Sequence, residues 1–401
     1  MSLRVLLTEK IDESADQVYE SAGFEVTRLD RALERDDYVE VTDNYDLIGV
    51  RSRSELDASF FRPKMRLKAV GVYGIGTNHI DLDSAAKAGV AVFNAPYSNT
   101  RSVVELVVAQ MINLARRVGD RNAQMHAGMW QKSAAGCVEL RRKTLGIVGY
   151  GNIGSQLSVV AEHLGMQVVY HDLRDTQAIG NAVACTDLKD LLRQADFVSL
   201  HVDGRSENTA LLDATMVAEM KLGAYLINMS RGHVVDIQAV ADALKRGDLS
   251  GAAFDVFPVE PGTNGQGFES PLQNLPNVML TPHIGAGTEE AQLAIASYVS
   301  RKLVNYWQKG TTSGSVNLPE VRLGDHDRSL RLLHIHSNIP GRLQAINSLL
   351  AAKGLNVVGQ ALQTKDVLGV VLVDIESQKS ALKLVDFESI EGTLAARLLS
   401  K

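Results

Sequence analysis

The sequence contains little cysteine, no excess of positive charge and no long apolar run, and each of these absences excludes a class of protein. Its 401 residues include two cysteines, Cys137 and Cys185, without CxxC spacing, so we expect neither a disulfide framework nor a metal site. The formal net charge of −6 offers no large positive field for nucleic acid or anionic lipid. The longest apolar stretch, residues 103–115, contains Glu105 and Gln110 and is too short to span a membrane.

The first residues also lack the apolar length and the cleavage site of a secretion signal. Residues 4–7 predict a first β-strand instead. Together with the cysteine content, which suits a reducing compartment, this predicts a cytoplasmic protein. We expect no nucleic-acid, membrane or metal partner.

What the sequence does contain is a repeated alternation of short β-branched runs and helical stretches. Between residues 4 and 94 it predicts a parallel α/β sheet with strands at residues 4–7, 47–50, 69–72 and 91–93. Between residues 143 and 282 it predicts a doubly wound sheet with six strands, at residues 145–148, 167–170, 197–200, 225–228, 252–255 and 278–280. A long helix is predicted to follow at residues 289–309.

The last part of the chain has a different rhythm. Residues 329–401 follow the order β-α-β-β-α-β, with a helix near residues 378–387, which predicts a small ferredoxin-like domain. Residues 311–327 mix Gly, Ser, Pro and charge, and therefore predict a linker. We expect three domains, at residues 1–96 with 287–318, at residues 97–286 and at residues 319–401.

A GxGxxG motif follows the first strand of the predicted doubly wound sheet. Its glycines are Gly149, Gly151 and Gly154, and Asn152 and Ile153 precede the last of them. Alone, this pattern often marks a simple turn, but here it follows a predicted strand and precedes an amphipathic helix. The glycines permit a tight turn, and the helix N-terminus presents free N–H groups and partial positive charge to phosphate. The motif therefore predicts a site for a dinucleotide pyrophosphate.

The carboxylate of Asp172 indicates which dinucleotide binds. It lies eighteen residues after Gly154, at the end of the next predicted strand. There it can accept both ribose hydroxyls of NAD, and it would repel the additional phosphate of NADP. Arg174 leaves some tolerance for NADP open, and a surface turn is the alternative role of Asp172. We expect NAD as the cofactor.

Three chemically active side chains, Arg231, Glu260 and His283, follow the last three predicted strands of the doubly wound sheet. Ligands bind at the carboxyl ends of such strands. Singly, the three residues could be a surface cation, a loop carboxylate and a capping residue. Together they supply a cation for a carboxylate and a base for a hydroxyl proton, which the oxidation of a 2-hydroxy acid at a nicotinamide requires.

With these motifs, the sequence resembles the D-isomer-specific 2-hydroxy-acid dehydrogenases. The resemblance covers nearly the whole chain, including residues 49–53, 93–96, 98–102 and 334–338. It is greatest to the branch that acts on D-3-phosphoglycerate and carries a C-terminal ACT domain. The resemblance implies a Rossmann-type doubly wound NAD domain, a flavodoxin-like substrate domain and a ferredoxin-like ACT regulatory domain.

The resemblance also implies roles for the catalytic residues. Arg231 would bind the substrate carboxylate and polarise the oxygen on C2, His283 would exchange the hydroxyl proton, and Glu260 would favour the protonated form of His283. Asp255 would meet the nicotinamide carboxamide. The other positions assigned to the cofactor, besides Arg231 and His283, are Met229, Ser230, Gly285 and Ala286.

The residues assigned to the substrate are Arg51, Ser52, Arg53, Ile75, Gly76 and Asn99. The guanidiniums of Arg51 and Arg53, which flank the Ser52 hydroxyl, would bind a phosphate, and Asn99 would add a hydrogen bond. Backbone N–H groups in residues 74–78, predicted as a helix-to-strand turn, would hold the carboxylate. The alternatives are a solvated loop for the two arginines and a plain glycine turn for residues 74–78.

The reaction that the resemblance implies is the NAD-dependent oxidation of D-3-phosphoglycerate to 3-phosphohydroxypyruvate, the first step of serine synthesis. It also implies a homotetramer, in which Trp130 is a candidate interface residue. His336, Asn338 and Asn356 would hold L-serine as a feedback effector, or they are ordinary strand and turn residues. Residues 325–329 lack a glycine pair to act as a soft hinge, so coupling between serine and activity stays open.

Other functions are compatible with parts of this pattern. The enzyme could reduce other 2-oxo acids such as 2-oxoglutarate, or act on lactate or glycerate, which would not require Arg51 and Arg53. A non-enzymatic NAD-sensing scaffold is the alternative of a different class, because a fold alone does not determine function. The complete set of Arg231, Glu260 and His283 favours an enzyme.

Overall fold

The structure is a computed structural model that describes residues 2–262, 264–265, 267–325, 329–376 and 382–399. The chain forms two compact units, Met1–Pro96 with Gln292–Lys401, and Tyr97–Ala291. Residues 319–401 fall in the first of these units, and their separation as a third domain stays a prediction. Residues 326–328 of the predicted linker and residues 378–381 of the predicted last helix lie outside the described residues.

The helices and strands follow the chain in three groups. Residues 2–96 form β1 (Leu3–Thr8), α1 (Ser14–Ser21), β2 (Phe24–Leu29), α2 (Tyr38–Asn44), β3 (Leu47–Val50), β4 (Ala69–Val72), α3 (Leu82–Lys87) and β5 (Ala91–Phe93). The second unit forms α4 (Thr100–Arg116), α5 (Val118–His126), β6 (Thr144–Val148), α6 (Asn152–His163), β7 (Gln167–His171), β8 (Val183–Ala184), α7 (Leu188–Gln194), β9 (Phe197–Leu200), α8 (Ala214–Ala218), β10 (Ala224–Asn228), α9 (Ile237–Arg246), β11 (Leu249–Phe254) and β12 (Val278–Leu280). The last group is α10 (Glu289–Lys309), β13 (Ser329–Ser337), α11 (Arg342–Ala352), β14 (Val357–Lys365), β15 (Leu368–Glu376), α12 (Leu384–Glu388) and β16 (Thr393–Leu399).

The first sheet is parallel, with the strand order β2-β1-β3-β4-β5. This is the flavodoxin-like order, in which the carboxyl ends of the central strands meet at one edge. The central strands β3 and β4 are buried along their whole length, as parallel strands covered on both faces are. The predicted strands of this sheet are confirmed. The sequence did not predict β2, an edge strand in which only Phe24 is buried.

The second unit contains a parallel sheet with the order β12-β11-β10-β9-β6-β7-β8. The order reverses at β6, which pairs with both β7 and β9. In a doubly wound sheet this switch point is where a dinucleotide binds. All six predicted strands are confirmed, and the structure adds β8, an exposed pair of residues at the sheet edge. Among the residues that the structure describes, no helix combines the length and apolar character needed to cross a bilayer.

The C-terminal residues form an antiparallel sheet with the order β14-β15-β13-β16. One face of this sheet shares an apolar core with α10, to which Leu303, Tyr306, Leu333 and Leu372 contribute. Arg331, a fully buried residue of β13, pairs with Asp374 at 2.6 Å and donates to the carbonyl of Lys309 at 3.0 Å. The end of α10 is therefore tied to the middle of the C-terminal sheet.

Candidate active site

The glycine motif of the second unit forms the tight turn between β6 and α6. Gly149 has a left-handed backbone with φ 93°, which favours glycine. A Cβ on Gly154 would lie 2.2 Å from the carbonyl oxygen of Gly149, so only glycine fits there. Gly151 is the N-cap of α6, and Asn152 and Ile153 begin this helix. The motif therefore has the strand–turn–helix context that phosphate binding requires.

Asp172 follows β7 and is held beside this turn by two backbone donors. Its Oδ2 accepts from the N–H of Tyr150 at 2.7 Å, and its Oδ1 accepts from the N–H of Arg174 at 2.9 Å. Each carboxylate oxygen keeps further acceptor capacity. The carboxylate is thus oriented in advance next to the dinucleotide motif, in a position suited to the hydroxyls of a ribose.

Arg231 lies in the loop after β10, and the last residue of that strand shapes this loop. The Asn228 Oδ1 accepts from the N–H of Ser230 at 3.0 Å and from its hydroxyl at 2.8 Å, and the Asn228 Nδ2 donates to the Arg231 carbonyl at 3.0 Å. Met229 and Ser230 are buried, whereas Arg231 is half-buried. Sequence reasoning missed Asn228, although a polar residue at the end of an otherwise apolar strand is a signal that the sequence contains.

The loop that carries Glu260 lies directly against the residue after Arg231. A Cβ on Gly232 would lie 1.9 Å from the carbonyl carbon of Phe257, so any larger residue would separate the two loops. Glu260 accepts from the Phe257 N–H at 3.1 Å through Oε1. Burial lowers the pKa of Arg231, while Glu260 opposes that shift. A guanidinium beside a carboxylate stays charged under all ordinary conditions.

Glu260 and His283 form the ion pair at the centre of the site. The Glu260 Oε2 lies 2.8 Å from the His283 Nδ1, which leaves the Nε2 of the imidazole for another partner. The hydrogen bond to Glu260 raises the pKa of His283, although burial opposes the shift. Burial is the largest single influence on Glu260 and raises its pKa, but the hydrogen bond and charge of His283, the Phe257 N–H and the charge of Arg231 together lower the net pKa. The pair therefore favours a carboxylate beside an imidazolium.

Asp255 holds the loop that carries His283. Its Oδ1 accepts from the Thr281 hydroxyl at 2.6 Å and from the Ile284 N–H at 2.9 Å, and its Oδ2 accepts from the Gly285 N–H at 2.8 Å. His283 itself has a left-handed backbone with φ 54°, a conformation that a non-glycine residue keeps only where its surroundings enforce it. Burial raises the pKa of Asp255. Sequence reasoning missed this orienting role and the part of Thr281 in it.

In the first unit, the loops after β3, β4 and β5 meet at the carboxyl edge of the sheet. The N–H of Tyr73 donates to the Val50 carbonyl at 2.8 Å, and the Asn94 side chain donates to the Ile75 carbonyl at 2.6 Å. The loop after β3 carries Arg51, Ser52 and Arg53, and the loop after β4 carries Ile75 and Gly76. The prediction of a helix-to-strand turn at residues 74–78 is wrong, because this segment connects β4 to α3.

The candidate substrate residues differ in exposure. Arg51 is half-buried, and burial lowers its pKa, whereas the Arg53 side chain is 46% exposed. Asn99 belongs to the second unit, directly before α4, and is buried. Its Oδ1 is a buried acceptor that has no hydrogen-bond partner among the described residues. A buried acceptor of this kind is a candidate ligand contact.

The three residues assigned to an effector do not come together within one chain. His336 and Asn338 lie at the end of β13, whereas Asn356 immediately precedes β14. His336 pairs with Gly369, but Val357 pairs with Ile375, at the other end of β15. At about 3.3 Å per residue, roughly 20 Å separates the two positions along the sheet.

Comparisons with known proteins agree with this geometry. Residues 108–285 match the family described as D-isomer specific 2-hydroxyacid dehydrogenase, NAD binding domain. The chain is 46% identical to D-3-phosphoglycerate dehydrogenase of Haemophilus influenzae over 400 residues, or 99% of this chain and 97% of that protein. It is 42% identical to D-3-phosphoglycerate dehydrogenase of Dictyostelium discoideum over 397 residues, with the same coverage of 99% and 97%. Among solved structures it is similar to D-lactate dehydrogenase of Aquifex aeolicus complexed with NAD and lactic acid, with a TM-score of 0.69 and 28% identity over 79% of this chain and 100% of that chain.

Proposed function

Because this chain belongs to the D-isomer-specific 2-hydroxyacid dehydrogenase family and is an NAD-dependent dehydrogenase, we propose that it oxidises D-3-phosphoglycerate to 3-phosphohydroxypyruvate, the first step of serine biosynthesis. The observation that carries this proposal is the combination of two groups of residues. The second unit has the Arg231, Glu260 and His283 constellation, and the first unit has Arg51 and Arg53 at the carboxyl edge of its sheet. The first group suits a 2-hydroxy acid, and the second suits a phosphate.

The residues around the glycine motif fit the cofactor. A Cβ on Gly151 would meet no atom within 4 Å, so the N-terminus of α6 has room for a phosphate group. Asp172 would bind the ribose, and the loops that contain Met229 and Gly285 would line the nicotinamide side. When bound, NAD supplies the acceptor for the hydride that leaves C2 of the substrate.

The mechanism follows from the orientation of His283. Because its Nδ1 is bonded to Glu260, its Nε2 is the nitrogen that takes the hydroxyl proton as C2 loses its hydride and the alcohol becomes a carbonyl. Arg231 would bind the substrate carboxylate and stabilise negative charge on the C2 oxygen. Glu260 stabilises the imidazolium that forms. In the reverse reaction, the protonated His283 returns the proton to the same oxygen.

The decisive test is a comparison of substrates. Purified protein would be assayed for NADH oxidation with 3-phosphohydroxypyruvate, 2-oxoglutarate and pyruvate, each with and without L-serine. We expect the highest kcat/KM for the phosphorylated substrate. If 2-oxoglutarate were preferred, the protein would be a reductase of that oxo acid whose arginines bind a carboxylate. If no substrate were reduced while NADH still bound, an NAD-sensing scaffold would replace the enzyme.

Replacing Arg53 by alanine tests the phosphate contact. Loss of its charge-assisted hydrogen bonds is expected to raise the KM for 3-phosphohydroxypyruvate about tenfold or more. The kcat/KM for pyruvate, which has no second anion, would change by about twofold at most. Arg35→Ala is the matched control, because Arg35 is an exposed arginine of the same unit that pairs with Asp57. Equal effects of Arg53→Ala on both substrates would contradict the assignment.

The pH dependence of the reaction tests the role of Glu260. In Glu260→Gln, the amide no longer favours the imidazolium, so the pKa of His283 falls from its raised value. Reduction of the oxo acid requires protonated His283, and the alkaline limb of its kcat/KM profile should therefore move to lower pH. Oxidation requires neutral His283, so its acid limb should move in the same direction. Glu269→Gln, which changes an exposed carboxylate, is the control and should leave both pH profiles unchanged. An unchanged profile in Glu260→Gln would show that the pairing with Glu260 does not set the pKa of His283.

The proposal also includes regulation of a homotetramer by L-serine at the C-terminal ACT domain. A site that contains His336, Asn338 and Asn356 needs two chains, since roughly 20 Å separates these positions along one sheet. β14 is an edge strand, which suits pairing with a second copy. The side chain of Trp130 is exposed in the single chain, with 81% accessibility, and suits a second interface.

A further inference from the structure

The loop that carries Arg51 and Arg53 is held by a carboxylate that the sequence analysis did not single out. Glu9 directly follows β1, the neighbour of β3 in the first sheet. Its Oε1 accepts from the N–H groups of Arg51 at 3.0 Å and Ser54 at 3.1 Å, and its Oε2 accepts from the N–H of Arg53 at 3.0 Å. The Ser54 hydroxyl donates to the Oε1 at 2.6 Å. Donors from three positions of one loop thus converge on one carboxylate.

This contact is buried. The Glu9 side chain is 2% exposed and Ser54 is fully buried, and the Ser54 Oγ also accepts from the N–H of Leu33 at 3.0 Å. A buried carboxylate is costly unless hydrogen bonds satisfy it, and here three backbone N–H groups and a hydroxyl do so. The conformation of the loop and the burial of the charge therefore depend on each other.

The backbone conformation at Glu9 belongs to the turn that follows β1. Glu9 has φ 54°, in the left-handed region where glycine and asparagine are favoured, and Lys10 after it has the same φ. The Glu9 N–H donates to the carbonyls of Leu29 and Arg31, which holds the turn in this conformation. Because both residues share the conformation, the four donors to the carboxylate, and not the backbone, single out Glu9.

We propose that Glu9 is a positioning residue for the binding of the substrate phosphate. It fixes the N–H groups of the loop and thereby the directions of the Arg51 and Arg53 side chains. The inference rests on the proposed function, since it assumes that these guanidiniums bind the phosphate. The Glu9 Oε2 also lies 3.6 Å from the Arg53 Nε, within ion-pair distance. Glu9 acts through the arginines and does not itself touch substrate.

Electrostatics and positioning make opposite predictions for this residue. If Glu9 were only a negative charge near an anion site, its neutralisation would strengthen phosphate binding and lower KM. If it positions the loop, neutralisation weakens binding, because bidentate charge-assisted bonds depend on geometry. Since four hydrogen-bond donors already compensate the carboxylate, we expect the loss of geometry to dominate.

The test uses two substitutions of Glu9 in the full-length protein. Glu9→Gln keeps the size of the side chain, and Glu9→Gly removes the carboxylate while it relieves the backbone conformation. In both, the KM for 3-phosphohydroxypyruvate should rise about tenfold, with kcat within about twofold of the unsubstituted protein and an unchanged Kd for NADH. Lys10→Gly is the matched control, because Lys10 has φ 54° in the same turn, and its KM should stay within about twofold.

A double substitution separates positioning from general destabilisation. In the Arg53→Ala background, Glu9→Gln should raise KM by a smaller factor than it does alone, because one of the groups that it positions is gone. Equal factors in the two backgrounds, or an unchanged or lowered KM in folded Glu9→Gln, would overturn the inference. The proposed function fails separately, if the unsubstituted protein does not reduce 3-phosphohydroxypyruvate or if Arg53→Ala leaves its KM unchanged.

Discussion

His283→Ala is expected to lower kcat for reduction of the oxo acid by roughly 10³-fold, within the 10²- to 10⁴-fold range of general acid catalysis. In the proposed mechanism the variant loses the Nε2–H donor for the C2 oxygen, and it leaves Glu260 without its partner at 2.8 Å. The NADH affinity should be nearly unchanged, because the proposal assigns the other half of the cofactor to the glycine motif and Asp172. Stopped-flow NADH oxidation and fluorescence titration of NADH measure the two quantities separately.

A second histidine provides the control for this substitution. His163 is exposed near the end of α6, where its Nδ1 contacts the carbonyl of Val159 at 2.7 Å. His163→Ala should therefore keep kcat within about twofold of the unsubstituted protein, as is usual for a surface site. A large loss of NADH binding in His283→Ala, with little further loss in kcat, would assign His283 to the cofactor and not to proton transfer.

Arg231→Ala should have the other large effect, a loss of kcat/KM of about 10³-fold or more, comparable to the removal of a charged transition-state contact. The residue is half-buried and belongs to a loop that Asn228 holds, so the backbone that carries its guanidinium is fixed. Arg231→Lys keeps the charge but loses the planar pair of donors. We expect it to recover only a small part of the activity, and to remain about 10²-fold below the unsubstituted protein.

The control for Arg231 is Arg246, which lies at the exposed end of α9 and pairs with Asp248 at 2.7 Å. Arg246→Ala should leave kcat/KM unchanged within about twofold, since surface ion pairs contribute little. Full activity of Arg231→Lys would show that the site needs a charge and not the guanidinium geometry.

Much of the fold could be predicted from apolar runs alone. The strands at residues 47–50, 69–72, 91–93, 197–200 and 278–280 have the predicted bounds, because each is a short, largely apolar run. β2 and β8 were missed for different reasons. In β2, polar residues interrupt the apolar pattern and only Phe24 is buried, whereas β8 consists of two exposed residues and is too short to form a pattern.

The candidate site was predictable to the extent that its residues follow strand ends. Arg231, Glu260 and His283 were found from this rule and from their chemistry. The hydrogen bonds that orient them were not predicted, because Asn228, Asp255 and Thr281 act on loops whose paths the sequence pattern does not contain. The turn at residues 74–78 was misassigned for the same reason.

The sequence by itself determined the elements whose geometry is local. A glycine turn, a helix N-terminus and a carboxylate at the end of the next strand are close along the chain, so their spacing alone predicts a dinucleotide site. Only the tertiary structure decided which distant residues meet. Glu260 pairs with His283 across 23 residues, and Glu9 reaches the Arg51 N–H across 42, because strand order brings the two loops of each pair to one edge of their own sheet. Strand order depends on the packing of whole sheets, which no local pattern records.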